Sequence, residues 1–155
     1  MNNSPLVTII TPSFNQAPYL EETINSVLGQ TYPRIEYIIM DGGSTDGSVE
    51  IIKRYQNKLA YWVSEKDRGQ TDAINKGFAR AKGEVLAWIN SDDTLLPNAV
   101  EEAVRFLNEN PDIGLVYGDT HYIDEHSKVI GRFPAAQTDL ARLRRGYVHI
   151  PQQAS

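Results

Sequence analysis

Val85-Leu-Ala-Trp-Ile89 runs without a break into Asn90-Ser-Asp-Asp93. A short apolar stretch of this kind reads as a buried strand, and the polar cluster at its end as a loop. The same succession occurs upstream. Leu6-Val-Thr-Ile-Ile-Thr11 leads into Pro12-Ser-Phe-Asn15, and Ile35-Glu-Tyr-Ile-Ile-Met40 into Asp41-Gly-Gly-Ser44. A weaker strand, Leu59 to Ser64, leads into Glu65-Lys-Asp-Arg-Gly-Gln70. Helical spacing fills the gaps. Tyr19, Leu20, Ile24, Val27 and Leu28 share a face in a segment that Pro33 stops, and Val49, Ile52 and Tyr55 share one in the next. Ala73, Ile74, Gly77, Phe78 and Ala81 line a helix predicted over 71–81, with Gly83 as its expected cap. Pro97 opens another, turning Val100, Val104 and Leu107 inward. Strand and helix in alternation predict an α/β fold, a mostly parallel, Rossmann-like sheet flanked by helices. Beyond it, Gly114 to Tyr117 reads as a strand. Tyr122-Ile-Asp and Lys128-Val-Ile-Gly read as a hairpin around Asp124-Glu-His-Ser, and Asp139 to Arg145 as a short helix.

The bulk numbers narrow the function. A chain of 155 residues suits one domain, and 41% hydrophobic residues suffice for an ordinary core. A net charge of −5 argues against nucleic acid, which needs a basic face. An acidic protein still binds a phosphorylated ligand when a divalent cation stands between the charges. There is no cysteine, so disulfides, thiolate metal sites and a cysteine nucleophile are excluded. The N-terminus has no basic segment leading into an apolar one, and no apolar run approaches the roughly 20 residues of a membrane span. The expected location is cytoplasmic, peripheral to the inner membrane face at most.

In a parallel sheet the carboxyl ends of the strands share one edge, and ligands bind there. Four separate polar clusters therefore converge on one crevice. Asp92 and Asp93 repel one another unless something positive lies between them, and Mg²⁺ or Mn²⁺ would serve, with ligand phosphates completing the coordination. Capping of the following helix is the competing reading of that pair. Asp41 is placed to accept a hydrogen bond from a donor such as the N3–H of uracil, with the glycines after it admitting a flat ligand. A turn in which Ser44, Thr45 or Asp46 caps the next helix is the alternative, and Asp46 fits that role best. Arg68, Lys76 and Arg80 bring positive charge to the same region. Arg68, in the loop itself, is the candidate for a pyrophosphate contact, and Arg80 reads as a solvated face. His121, His126 and His149 have no partners at metal spacing. Ser13 lacks the Gly-x-Ser-x-Gly context of a hydrolase nucleophile, and no dinucleotide or Walker glycine loop follows the first strand.

Taken in order, five pieces resemble the inverting glycosyltransferases of family 2. They are Val7-Thr-Ile-Ile-Thr-Pro-Ser-Phe-Asn15, Ser26-Val-Leu-Gly-Gln-Thr31, Ile39-Met-Asp-Gly-Gly-Ser-Thr-Asp-Gly-Ser48, Asp67-Arg-Gly-Gln-Thr-Asp-Ala-Ile-Asn-Lys-Gly77 and Gly83-Glu-Val-Leu-Ala-Trp-Ile-Asn-Ser-Asp-Asp93. Each alone is moderately specific, but the ordered set is highly so. The resemblance implies the GT-A fold and transfer of a sugar from a nucleotide-diphosphate donor, UDP favoured, to a glycan or lipid-linked acceptor hydroxyl, in polysaccharide or glycan biosynthesis. It implies that Thr11, Pro12 and Asn15 line the nucleoside pocket and that Asp41 binds the base. Asp67 would face the ribose or diphosphate, Asp92 ribose or metal, and Asp93 the metal. The family's Asp-x-Asp element departs here from its usual form, because Asn90 stands at its first acid.

Inversion takes one displacement and one general base. In the family that base lies in the acceptor half, so the resemblance places it beyond Ser155 and makes residues 1–155 one GT-A-type domain cut before that half. Asp119, at the end of an expected strand, is the nearest late acid but a poor candidate. Three other readings remain at this point: a nucleotide-sugar-binding module without catalysis, a sugar-phosphate nucleotidyltransferase, and a phospho-acceptor signalling domain. The second would carry a glycine-rich basic loop where Thr-Pro-Ser-Phe-Asn-Gln stands. The third would need a late lysine and a different order of acids.

Overall fold

The computed structural model describes residues 4–135, 138, 139, 141 and 142. The elements, in order, are β1 (Val7–Ser13), α1 (Ala17–Leu28), β2 (Ile35–Asp41), α2 (Ser48–Tyr55), β3 (Tyr61–Ser64), α3 (Gln70–Phe78), β4 (Val85–Trp88), α4 (Ala99–Glu109), β5 (Thr120–Ile123) and β6 (Val129–Phe133). The first four strands form one parallel sheet in the order β3-β2-β1-β4. The strand order reverses at β1, and the loops that follow the four strands share the carboxyl edge.

Alternation along the strands assigns the two faces. Val7 and Ile9 of β1 with Tyr37 and Ile39 of β2 pack against Leu20, Ile24 and Val27 of α1, Ile51 and Ile52 of α2, and Val100 and Val104 of α4. Ile10, Ile38 and Met40 point the other way, onto Ala73 of α3. Both central strands are buried on both faces, which is why they read as continuous apolar runs. β4 lies at an edge and is half covered: Leu86 and Trp88 are exposed, and the Phe78 ring meets the Trp88 ring edge-on at 6.4 Å.

Several expectations shift in detail. α3 ends at Phe78, and Gly83 does not cap it. Gly83 instead lies against β1, where an added Cβ would come within 2.6 Å of the Thr8 backbone nitrogen. That close approach is held by Glu36, a buried acid the sequence reading passed over. Its Oε2 accepts from Thr8 Oγ1 (2.6 Å) and from the Lys82 N–H (2.7 Å), while the Gly83 N–H donates to Thr8 Oγ1 (2.9 Å). α4 begins at Ala99 rather than Pro97. In α1 Tyr19 is exposed and Thr23 takes the inner position, and in α2 Ile51 is buried where Val49 is only half so. Residues 114–117 do not take up a strand, whereas β5 and β6 form the expected antiparallel hairpin. Most of the helix expected over 139–145, and His149, lie outside the described residues.

Candidate donor site at the carboxyl edge

Hydrogen bonds join the strand-end loops in series. Asn15, just past β1, adopts φ 53°, a left-handed conformation that asparagine tolerates. Its N–H donates to Ser44 Oγ (2.8 Å) and its Oδ1 accepts from the Thr45 N–H (2.9 Å), fastening the β1 loop to the β2 loop. Asp46 accepts from the N–H groups of Ala17 (2.9 Å) and Ser48 (3.1 Å), the first residues of α1 and α2. It thus meets the first N–H of each helix from outside the N-cap position, which in α2 is Gly47. Burial works against the charged form of Asp46, but these backbone and hydroxyl donors prevail and hold its carboxyl below the ordinary value.

Asp41 closes β2 and is 2% exposed. Its Oδ2 accepts from the N–H groups of Gly43 (3.1 Å) and Ser44 (2.9 Å) and from Ser64 Oγ at the end of β3 (2.6 Å). Among the described residues its Oδ1 accepts from Ser44 Oγ alone (2.5 Å), which leaves a lone pair that could meet an incoming donor. The β3 loop then folds back over the β2 loop. An added Cβ on Gly42 would lie 2.9 Å from Asp67 Oδ2, so a side chain there would have to displace the Asp67 carboxylate. Asp67 Oδ1 accepts from the Gly69 N–H (2.8 Å).

The expected cations have partners. Arg68 is paired with Asp72 at 2.9 Å, and Lys76 with Asp72 at 3.2 Å and Glu65 at 3.6 Å. The hydrogen bond from Arg68 is the largest cause of an Asp72 carboxyl held down to about 2. Arg68, whose side chain is 89% exposed, lines an open cleft with Lys66, Asp67, Asp72 and Lys76. Arg80 is not merely solvated: its guanidinium lies 4.1 Å from the centre of the Tyr61 ring.

The last link reaches β4. Gln70, the first residue of α3, donates from Nε2 to Asn90 Oδ1 (2.6 Å), and Asn90 Nδ2 donates to Asp93 Oδ2 (3.0 Å). Thr23 of α1 donates to the Asp93 carbonyl (2.8 Å), tying the loop down from the other side. Burial, then the neighbouring Asp92 charge, pushes the Asp93 carboxyl up to about 7, and the Asn90 donor only partly offsets them. Two adjacent carboxylates in this state suit a hard cation. No group of three or more His, Asp or Glu residues placed to hold a metal occurs among the described residues. The pair offers two carboxylates, so a Mg²⁺- or Mn²⁺-type ion held there would have to take its other ligands from phosphate and water.

Asn15, Asp41, Asp67, Arg68, Asp92 and Asp93 thus lie along one edge. Thr11 and Pro12 differ: both are buried, and the Thr11 hydroxyl pairs with Tyr37 Oη at 2.9 Å, beneath the site rather than in it. Ser13 Oγ is buried and has no hydrogen-bond partner among the described residues. Asp119 is engaged by Arg132 and by the Ala135 N–H (2.7 Å), and the Arg132 hydrogen bond leads the causes that lower its carboxyl. A carboxylate so held is a weak base. His121 and His126 are exposed and remote from this edge in their contacts. Gln70, Asp72 and Ser64 were not singled out by sequence reasoning, and Ser44 was read only as a possible helix cap. Only the i, i+4 spacing of Arg68, Asp72 and Lys76 carried a signal for one of them.

Comparison with known proteins agrees with this geometry. Residues 8–150 match the sequence profile described as Glycosyl transferase family 2. An uncharacterized glycosyltransferase of Rickettsia typhi is 40% identical over 126 residues, 80% of this chain and 39% of that protein. A putative teichuronic acid biosynthesis glycosyltransferase of Bacillus subtilis is 38% identical over 111 residues, 70% of this chain and 44% of that protein. The chain thus spans less than half the length of these relatives. Among solved structures, S. aureus TarS 1-349 in complex with UDP-GlcNAc superimposes with a TM-score of 0.63 at 27% identity, over 68% of this chain and 32% of that one. The mannosyltransferase PcManGT from Pyrobaculum calidifontis, in complex with GDP-Man and Mn²⁺, gives 0.63 at 28% identity, over 77% and 36%. The fold is of the GT-A type, and with the profile match across nearly the whole chain it follows that this protein belongs to glycosyl transferase family 2.

Proposed function

We propose that this chain is the donor-binding part of an inverting glycosyltransferase that moves a sugar from a nucleotide-diphosphate donor to an acceptor hydroxyl. The observation that carries the reading is the series of contacts from Asn15 through the Asp41 and Asp67 loops to Asn90 and Asp93, which makes one crevice of four loops. In this reading Asn15, Asp41 and Asp67 border the nucleoside, with Thr11 and Pro12 as the floor beneath. Arg68 faces the diphosphate, and Asp92 and Asp93 hold Mg²⁺ or Mn²⁺. A bound cation would supply Lewis-acid stabilisation of the charge that develops on the diphosphate leaving group. UDP-GlcNAc in the TarS complex supports a UDP-sugar, and Mn²⁺ beside GDP-Man in the mannosyltransferase supports the cation. The Bacillus relative's printed role supports a cell-envelope polysaccharide, made on a glycan or lipid-linked acceptor. The absence of cysteine supports the cytoplasmic side, and among the described residues no helix is long and apolar enough to cross a membrane. In this reading the matched region is one GT-A-type domain that carries the donor side of the site.

Calorimetric titration of UDP tests it. Binding in Mn²⁺, lost in EDTA and in Asp92→Ala or Asp93→Ala, is the expected result. Equal affinity with and without metal would overturn the cation assignment, and no affinity for UDP, GDP or dTDP would overturn the donor site.

A further inference from the structure

Residues 89–98 join β4 to α4 and carry Asp92 and Asp93. Their backbone polar groups must find partners outside regular structure. α1 and the turn after it supply several. Thr23 Oγ1 donates to the Asp93 carbonyl (2.8 Å), Ser26 Oγ accepts from the Leu95 N–H (3.1 Å), and Gln30 Nε2 donates to the Leu96 carbonyl (2.8 Å). The Thr31 N–H adds a bond to the Pro97 carbonyl (2.9 Å), and Gln30 Oε1 accepts from the Val100 N–H in the first turn of α4 (3.0 Å). The order of partners is the same along both segments. From Thr23 to Gln30 a helical path rises about 10 Å. Three residues of nearly extended backbone, from Asp93 to Leu96, cover about the same length. Donor and acceptor roles are set locally. The one Ser26 hydroxyl proton goes back to the Thr23 carbonyl (2.8 Å), which leaves the oxygen free to accept from Leu95. Gln30 Nε2 also donates to the Ser26 carbonyl (3.0 Å) in the last turn of α1.

We infer that Thr23 is a positioning residue of the proposed cation site, holding Asp93 through its carbonyl, while Ser26 and Gln30 fasten the chain just beyond. The inference rests on the proposed cation role of Asp92 and Asp93. The turn from Asn90 to Asp93 has bonds of its own, from the Asp93 N–H to the Asn90 carbonyl (3.2 Å) and from Asn90 Nδ2 to Asp93 Oδ2 (3.0 Å). Those give the turn its shape. They lie inside it and do not fasten it to α1, as Thr23 does. Thr23 is fully buried, so valine at 23 would leave the Asp93 carbonyl facing a methyl group. A carbonyl deprived of its donor turns toward water. Residues 95–97 stay fastened to α1, so the movement falls on the stretch between β4 and Leu95, which carries both acids.

The test is Mn²⁺ affinity in saturating UDP, read by electron paramagnetic resonance at a temperature where each variant is folded. Thr23→Val keeps the shape of the side chain and loses the hydroxyl, whereas Thr23→Ser keeps the hydroxyl and loses a methyl group. Thr23→Val is expected to weaken Mn²⁺ by about threefold to tenfold, the worth of one hydrogen bond. Thr23→Ser should stay within about twofold of wild type, and so should Gly83→Ala, whose strain falls on the other end of β1. Gln30→Met, which keeps neutral charge and similar length, should weaken Mn²⁺ by about threefold. Without metal or nucleotide, the Leu95 amide should exchange faster in Ser26→Ala. A packing role for Thr23 would reverse the order, with Thr23→Ser the weaker binder, and that result overturns the inference. Equal weakening in Gly83→Ala overturns it as well, as does unaltered Leu95 exchange. Should Thr23→Val fold poorly, Gln30→Met decides, and unchanged affinity there is refutation. A wild type that binds no Mn²⁺ with UDP overturns the cation reading and this inference with it. Intact wild-type binding with unaltered variants overturns the inference alone.

Discussion

Asp93→Asn should make the metal-free protein less sensitive to alkali. The wild-type carboxyl stands at about 7 instead of the ordinary 3.8, chiefly through burial and next through the charge of Asp92. The folded state therefore binds the proton more tightly than the unfolded chain does. The stabilisation is complete below about pH 4 and disappears as pH rises to about 7. A displacement of that size corresponds to about 4 kcal/mol, and because Asp93 is only half-buried, solvent screening reduces it to about 2 kcal/mol. Urea unfolding in EDTA at intervals between pH 4 and 8 measures it. Wild type should lose about 2 kcal/mol more than Asp93→Asn across that range. Asp46, Asp72 and Asp119 have lowered carboxyls, so their contributions are lost as pH falls rather than as it rises, and the subtraction of the two proteins removes them. Asp92→Asn should give a smaller version of the effect, since Asp92 is the second cause. Parallel curves for wild type and Asp93→Asn, within about 0.5 kcal/mol, would refute the claim that Asp93 is strained by its surroundings.

Gly83→Ala should destabilise the fold by about 2–3 kcal/mol in the same assay, because its Cβ would press on the backbone of Leu6 and Thr8 rather than on a side chain able to move. Glu36→Ala should cost about 3 kcal/mol, since it leaves the Lys82 N–H and the Thr8 hydroxyl without their acceptor, and Glu36→Gln should retain part of that. Arg68→Ala should change stability by less than about 0.5 kcal/mol, its pair with Asp72 being highly exposed. The same variant should weaken UDP binding by calorimetry if Arg68 faces the diphosphate. An unchanged affinity would remove it from the site.

The strands and their order of appearance were legible in the sequence because β1 and β2 are buried on both faces and so are apolar throughout. The helices were legible through their buried stripes, and the edge where the four polar loops meet followed from strand direction alone. Acids at strand ends marked Asp41, Asp67, Asp92 and Asp93 before any geometry was known. Other features depended on contacts between distant segments. Nothing local distinguishes Thr11, whose hydroxyl turns inward to Tyr37, from a residue lining a pocket. Gly83 looks like a helix cap until Thr8 and Glu36 are brought beside it. Gln70 is one polar residue among many until α3 lies next to the end of β4. Periodicity and residue type along the chain determined which segments are strand or helix and which loops carry acids, because burial of one face leaves its trace in neighbouring residues. Which hydroxyl, amide or carboxylate meets which was decided only by the folded sheet, because a hydrogen bond between residues far apart in sequence has no period to betray it.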